Sequence, residues 1–161
     1  MPVFDQIFQL VTDICTHTPP QKDEVSTPKA IKIASGDLTT VAQRLLEDPD
    51  MYFDTLSCVT GIDNGPAAAT MEVVYNLYSI PFNCQLMLKV LLPRDKPEIE
   101  SLSHLWRTAN WHEREIFDMY GIVFLNHPDL RRILMPADWE GHPLRKDYTQ
   151  QEYYRDIKVK F

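Results

Sequence analysis

The 161 residues, 44% apolar and 24% charged, suffice for one ordinary domain with a real core. The net charge of −7 is uneven: residues 1–125 carry 9 basic against 17 acidic side chains, and 126–161 carry 7 against 6, so neither part is basic enough to track phosphates and no nucleic acid is expected as a partner. No apolar run approaches the ~20 residues that cross a bilayer, and the opening MPVFDQIF has an acid where a signal peptide carries a basic flank, so no direct membrane span is expected and the chain should stay in the compartment where it is made.

In chain order, Val3, Phe4, Ile7, Val11 and Ile14 recur at helical spacing and predict an amphipathic helix over 3–14. The polar, proline-bearing THTPPQKDEVSTP, residues 16–28, reads as a linker. Ala30 to Ala34 alternates as a strand does, and Leu38, Val41 and Leu45 mark a helix face over 37–47. Three further strands are expected at 52–60, 71–78 and 85–92, with connections short enough for antiparallel neighbours. Pro97 followed by Ile99, Leu102, Trp106 and Ala109 predicts a helix packed on that sheet. The fold class is therefore α+β: a small mixed, largely antiparallel sheet packed by helices, with a long extended C-terminal tail. Its divisions are an N-terminal helix and Pro-rich linker over 1–28, an α+β domain over 29–125, and a partner-wrapping tail over 126–161.

Residues 111–120 form the best-specified helix, with Asn110 as N-cap, Glu113 as its capping-box partner and Gly121 beyond its end. Ile116, Phe117, Met119 and Tyr120 share one arc; Arg114, Glu115 and Asp118 occupy the other, with Trp111 among them. A tryptophan on a charged face either folds back onto its own domain or meets a partner. Arg114 and Asp118 have the i,i+4 spacing of a solvated pair contributing a few tenths of a kcal/mol, unless a partner buries it. Beyond Leu125, Pro128, Pro136 and Pro143 interrupt any long helix, yet Leu134, Met135, Trp139, Leu144, Tyr148, Tyr153 and Tyr154 punctuate the segment. Fully extended, at roughly 3.3 Å per residue, it would reach about 100 Å. Such a segment has too little apolar surface to offset its own ordering, so it is either an interface element with aromatic and arginine anchors or a disordered tail.

Catalytic and metal-binding signatures fail one by one. His112-Glu113 begins an HExxH motif, but the second ligand position holds Ile116. A metal site assembled from separated residues such as His112, Glu113 and His127, making the chain a freestanding metal-dependent enzyme, stays as an alternative of another class. Five glycines form neither GxGxxG nor a P-loop, there is no GxSxG elbow, and Glu113 and Glu115 diverge by about 200° on a helix. Cys15, Cys58 and Cys84 have no CxxC spacing and read as buried thiols in a reducing cytoplasm. No catalytic, cofactor-binding or metal-binding residue is assigned.

Glu113-Arg114-Glu115, Asp118-Met119-Tyr120, His127 after a six-residue gap, Arg131 after three more, and Ile133-Leu134 together resemble the signature of the thirty-kilodalton subunit family of respiratory complex I, and ILMPADWEGHPLRKDY, residues 133–148, is similar to that family as well. The resemblance implies a non-catalytic peripheral-arm subunit on the cytoplasmic side of the cell (inner) membrane, within a proton-translocating NADH:quinone oxidoreductase. FMN, iron–sulfur clusters and quinone would belong to partner subunits. The main contact would be the forty-nine-kilodalton-type subunit (the D subunit of bacterial enzymes), wrapped by the tail near the quinone site, with the iron–sulfur subunits of the arm as neighbours. Because the sequence stops at Phe161, that large subunit is expected as a separate polypeptide. The equivalent subunit of a related membrane-bound hydrogenase or ferredoxin-linked complex is the alternative. Expected interface residues are Trp111, Glu113, Arg114, Glu115, Asp118, His127, Arg131, Arg132, Trp139, Arg145 and Tyr148.

Overall fold

Two-residue alternation puts Met71, Val73, Tyr75 and Leu77 of one strand and Leu86, Leu88, Val90 and Leu92 of the next on a shared buried face, and covering that face organises the chain. The computed structural model describes residues 3–159, so the outermost two residues of the expected N-terminal and C-terminal segments lie outside the described residues. Helix α1 (Phe4–Ile14) is followed by strands β1 (Gln21–Asp23) and β2 (Ala30–Ile33), then α2 (Leu38–Glu47). A meander of β3 (Thr55–Asp63), β4 (Thr70–Ser79) and β5 (Cys84–Pro93) follows, then β6 (Glu98–Glu100), α3 (Ala109–Tyr120), β7 (Val123–Leu125) and the two-residue strands β8 (Tyr153–Tyr154) and β9 (Ile157–Lys158).

The five-stranded sheet runs β1-β2-β5-β4-β3; the β2–β5 pair is parallel and the rest antiparallel, so the chain is α+β with a mixed, mostly antiparallel sheet as expected. Ile7 and Val11 of α1 and Leu38, Val41 and Leu45 of α2 join the inward strand residues and Ile116 of α3 in one core. Ala30, Val74 and Met87 form a small cluster of their own on strand positions of the other parity. A register break between Leu56 and Cys58 resets the alternation of β3, bringing Val59, Gly61 and Asp63 to the buried side. At Gly61 an added Cβ would lie 2.8 Å from the Tyr120 ring and 3.0 Å from Ile116, so α3 approaches β3 more closely than another side chain permits.

Several local expectations fail, each for an identifiable reason. The segment 16–28 is more than a linker: β1 pairs with β2, with Gln21 opposite Lys32, at an edge where nearby prolines need not donate to the ladder. The third strand begins and ends three residues later than expected because Gly61–Asp63 pair with Val73–Met71 before the turn starts. No helix spans 97–109. Ile99, Leu102, Trp106 and Ala109 are all buried, but Ile99 sits in β6, opposite Phe124 of the unforeseen parallel strand β7, Leu102 and Trp106 lie in the irregular turns that follow, and Ala109 opens α3. Trp106 is fixed there by its indole N–H, which donates to the Phe53 carbonyl at 3.2 Å. Of the thiols only Cys84 is buried; Cys15 and Cys58 are half-buried.

Candidate functional site

Helix α3 carries the signature residues, and it does not use them as the sequence suggests. Thr108 precedes it with no side-chain cap bond, and Glu113 makes no capping box. Its buried carboxyl instead accepts from Ser101 Oγ at 2.6 Å and from the Leu102 amide at 2.7 Å, tying the segment after β6 to α3. Burial pushes this carboxyl up to about 7, against the opposing pull of those two donors. The buried His127 ring lies alongside: Nδ1 accepts from the Asp129 amide at 3.0 Å, leaving Nε2 to donate to the Asn110 carbonyl at 3.1 Å, 3.8 Å from Glu113 Oε2.

Arg114 and Asp118 do not pair. Arg114 is buried, donates through Nε to the Arg131 carbonyl at 3.2 Å, and holds its guanidinium 5.0 Å from the centre of the Trp111 ring. Asp118 is buried too, and its Oδ2 accepts from three consecutive amides, Ile133, Leu134 and Met135, at 3.0, 2.7 and 2.9 Å, while Arg132 Nη1 donates to Oδ1 at 2.8 Å. Burial alone would raise this carboxyl; the amides of Met135 and Leu134, Arg132 and the Ile133 amide together hold it below its ordinary value.

The end of α3 explains why the following segment folds here. The last carbonyls of a helix lack internal partners. The Gly121 amide donates to Phe117 O, His142 Nδ1 to Asp118 O at 3.0 Å, the Leu144 amide to Met119 O at 3.0 Å, and Arg145 Nε to Tyr120 O at 2.6 Å. Two arginines at the negative end of the helix dipole add to this. Gly121 is left-handed at φ 74°, and a Cβ there would come within 2.6 Å of the His142 ring, so the glycine serves both the turn and the returning segment. A second anchor lies beyond: Asp63, inward on β3, accepts from Arg94 Nε and Nη2 at 2.8 and 3.0 Å and from the Lys146 amide at 2.8 Å. The Arg94 bonds hold its carboxyl well below the usual range despite burial, with the Lys146 and Gly65 amides assisting. Farther on, Trp139 donates from Nε1 to the Tyr148 hydroxyl at 3.0 Å and packs against Tyr154, with ring centres 5.2 Å apart. The tail is thus not laid out to its full reach: residues 132–146 return to the body, and their ordering is offset by polar anchors rather than apolar area.

Of the expected interface residues, Glu113, Arg114 and Asp118 face into the chain, and His127 has a buried side chain. Arg132, Trp139, Arg145 and Tyr148 are half-buried and bonded within the chain. Glu115 and Arg131 are exposed, and Trp111 is 65% exposed, so its ring does not fold back into the core. Leu134 at 59% and Leu144 at 52% add further exposed apolar surface in the returning segment. Sequence reading missed Asp63, Arg94, Ser101 and His142. For Asp63 a signal existed: continued alternation puts a carboxylate on the core face, where it needs a partner. Among the described residues no group of three or more His, Cys, Asp or Glu side chains could hold a metal ion, and no helix is long and apolar enough to cross a membrane.

The fold and site define a small α+β module whose signature helix is closed by its own C-terminal segment, and known proteins share it. Residues 31–154 match the model of the respiratory-chain NADH dehydrogenase 30 kDa subunit family, and the chain belongs to that family. It is 47% identical over 122 residues to the C subunit of the NADH-quinone oxidoreductase of Chloroherpeton thalassium, a match covering 75% of this chain and 50% of that protein. To the protein of the same name from Chlorobium phaeobacteroides it is 45% identical over 122 residues, covering 75% of this chain and 73% of that one. The chain thus spans between half and three quarters of the length of these curated relatives. Among solved structures, a trypsin-resistant fragment of Nqo5 is 28% identical with a TM-score of 0.54, covering 63% of this chain and 82% of that one. A chain of the archaeal membrane-bound sulfane sulfur reductase, at 18% identity, shares the fold with a TM-score of 0.71 over 90% of this chain and 85% of its own.

Proposed function

We propose that the chain is a non-catalytic, peripheral-arm subunit of a proton-translocating NADH:quinone oxidoreductase, docking on and stabilising the forty-nine-kilodalton-type subunit beside the quinone site. The observation that carries this reading is the exposed Trp111 ring on α3, the helix around which the family signature closes. A large aromatic held rigidly by a stacked arginine is the kind of anchor that interfaces use. In this reading Glu113, Arg114, Asp118 and His127 act indirectly, by shaping α3 and the segment 127–146, while Trp111, Glu115, Arg131 and Leu134 meet the partner. FMN, iron–sulfur clusters and quinone are assigned to neighbouring subunits, and the complex to the cytoplasmic face of the cell inner membrane. The names of the relatives and the family match over 31–154 support it.

The test is to tag the chain in its native host, isolate it from gently solubilised membranes, identify co-purifying proteins and assay NADH-dependent quinone reduction. Recovery of a forty-nine-kilodalton-type subunit with that activity is expected. Recovery with hydrogenase or ferredoxin-linked proteins would move the chain to a sister complex, and recovery alone would overturn the subunit reading.

A further inference from the structure

We propose that Glu113 is a buried proton-binding site that exchanges with solvent through the hydroxyls of Ser101 and Ser103, and that its charge decides which acceptor the His127 ring N–H serves. Groups from three neighbouring elements face the buried carboxyl. Ser101, Leu102 and Ser103 face it from the segment after β6, His127 from the turn after β7, and Tyr75 from β4. The neighbouring cation on its own helix, Arg114, is turned to the Arg131 carbonyl and the Trp111 ring. Among the described residues no lysine or arginine forms an ion pair with Glu113; His127 at 3.8 Å is the ionisable base beside it. A carboxylate so placed is strongly biased toward its neutral form, as its displacement to about 7 reflects. Tyr75 offers no relief: its hydroxyl is buried without a hydrogen-bond partner, and burial together with the Glu113 charge disfavours its ionisation.

The hydroxyl geometry can satisfy either protonation state. Ser101 Oγ lies 2.6 Å from Glu113 Oε2 and 2.7 Å from Ser103 Oγ, and it accepts from the Ser103 amide at 3.1 Å. With Glu113 ionised, Ser101 donates to the carboxylate and accepts from the Ser103 hydroxyl and amide. With Glu113 protonated, Ser101 accepts from the carboxyl and the amide and donates to Ser103. In either state its one donor and two acceptor sites are filled, so reversing the two hydroxyl bonds passes one proton between Glu113 and Ser103 while Ser103, half-exposed, takes one from or gives one to solvent water, and the framework is unbroken. The His127 Nε2–H sees two acceptors, the Asn110 carbonyl at 3.1 Å and Glu113 Oε2 at 3.8 Å. Ionisation of Glu113 makes the second the stronger. A small ring movement then transfers the bond.

The experiment is carbon-13 NMR of glutamate-labelled full-length chain across pH 4 to 9, with Glu113→Gln to assign the signal and the His127 Nε2–H resonance followed in parallel. One carboxyl titrating near neutrality, with the histidine signal moving at the same midpoint, is expected. Ser101→Ala removes a donor to the ionised form and should raise the midpoint by about one pH unit. Ser103→Ala, at a half-exposed position, should keep the midpoint close to wild type and slow the interconversion of the two carboxyl forms. Titration of Glu113 in the ordinary carboxylate range, or a His127 signal indifferent to it, would overturn the proposal. The wild-type titration decides the point even if Ser101→Ala fails to fold.

Discussion

The sheet with α1 and α2, and the segment from Asn126 to Val159, are ordered by opposite means. The first buries alternating aliphatic side chains; the second lies half-exposed and is held by donors converging on Asp118, on Asp63 and on the open carbonyls of α3. A segment too polar to make a core can still be ordered when the body supplies buried acceptors at the right places. Each anchor then concentrates in one or two side chains what the core spreads over many.

Breaking the apolar half has the larger consequence. Leu88 on β5 is fully buried in the centre of the core, and Leu88→Ala should cost about 2–5 kcal/mol of global stability, read as a lower denaturant midpoint for body and segment together. Asp118→Ala should act locally instead. It removes the acceptor of three amides and of Arg132, a loss of about 3 kcal/mol confined to the segment 132–145. Amide exchange of Ile133, Leu134 and Met135 should accelerate while β4 and β5 keep their protection; equal loss of protection in both regions would show that the two are not separable. Acid sharpens the same contrast. Asp118 and Asp63 both have folded values below their unfolded one of 3.8, so their stabilisation is complete above that pH and is lost as the pH falls through the folded values. The segment should therefore release at low pH before the core melts.

This contrast also explains what could be read from the sequence. The α+β class, α1, α2 and the meander were legible because binary patterning determines them: Val73, Tyr75, Leu86 and Leu88 can alternate in only one way. The supposed helix over 97–109 failed because buried residues in a short strand and turns happened to recur every three or four positions. In the candidate site, position along the chain was legible and role was not. Arg114 and Asp118 stand out as charged residues that a helical wheel places outward, while Glu113, on the apolar side of the same wheel, reads as a cap. The burial of Arg114 and Asp118 is decided by partners 14 to 17 residues away, Arg131 to Met135, and the donor that holds Glu113, Ser101, is 12 residues away; no local period encodes these partners.

A smaller effect separates the two buried carboxyls of α3. Asp118 is satisfied as an anion; Glu113 has two neutral donors, and its folded value of about 7 lies above an unfolded 4.5. The folded state thus retains a proton that the unfolded state has lost. Stability falls as pH rises from about 4.5 to about 7 and is lowest above it, by a displacement on the order of 3 kcal/mol before relaxation. Glu113→Gln keeps the shape and removes the titration. Its unfolding free energy should vary less across that window than wild type, with the larger gain at pH 8; parallel pH profiles for the two proteins would mean that Glu113 is hydrated in solution.

Trp111→Ala should change the isolated chain least and the assembled one most. The ring is 65% exposed and stacks on the Arg114 guanidinium, so its removal should cost less than about 1 kcal/mol in the denaturant midpoint of the chain alone. If the ring anchors a partner, the same substitution should weaken capture of the forty-nine-kilodalton-type subunit by about 2 kcal/mol or more, a roughly thirtyfold loss. The two measurements pull apart a stacking role from a docking role: a ring that serves only to cover Arg114 lowers the midpoint and leaves capture alone, whereas a ring held out for a partner does the reverse.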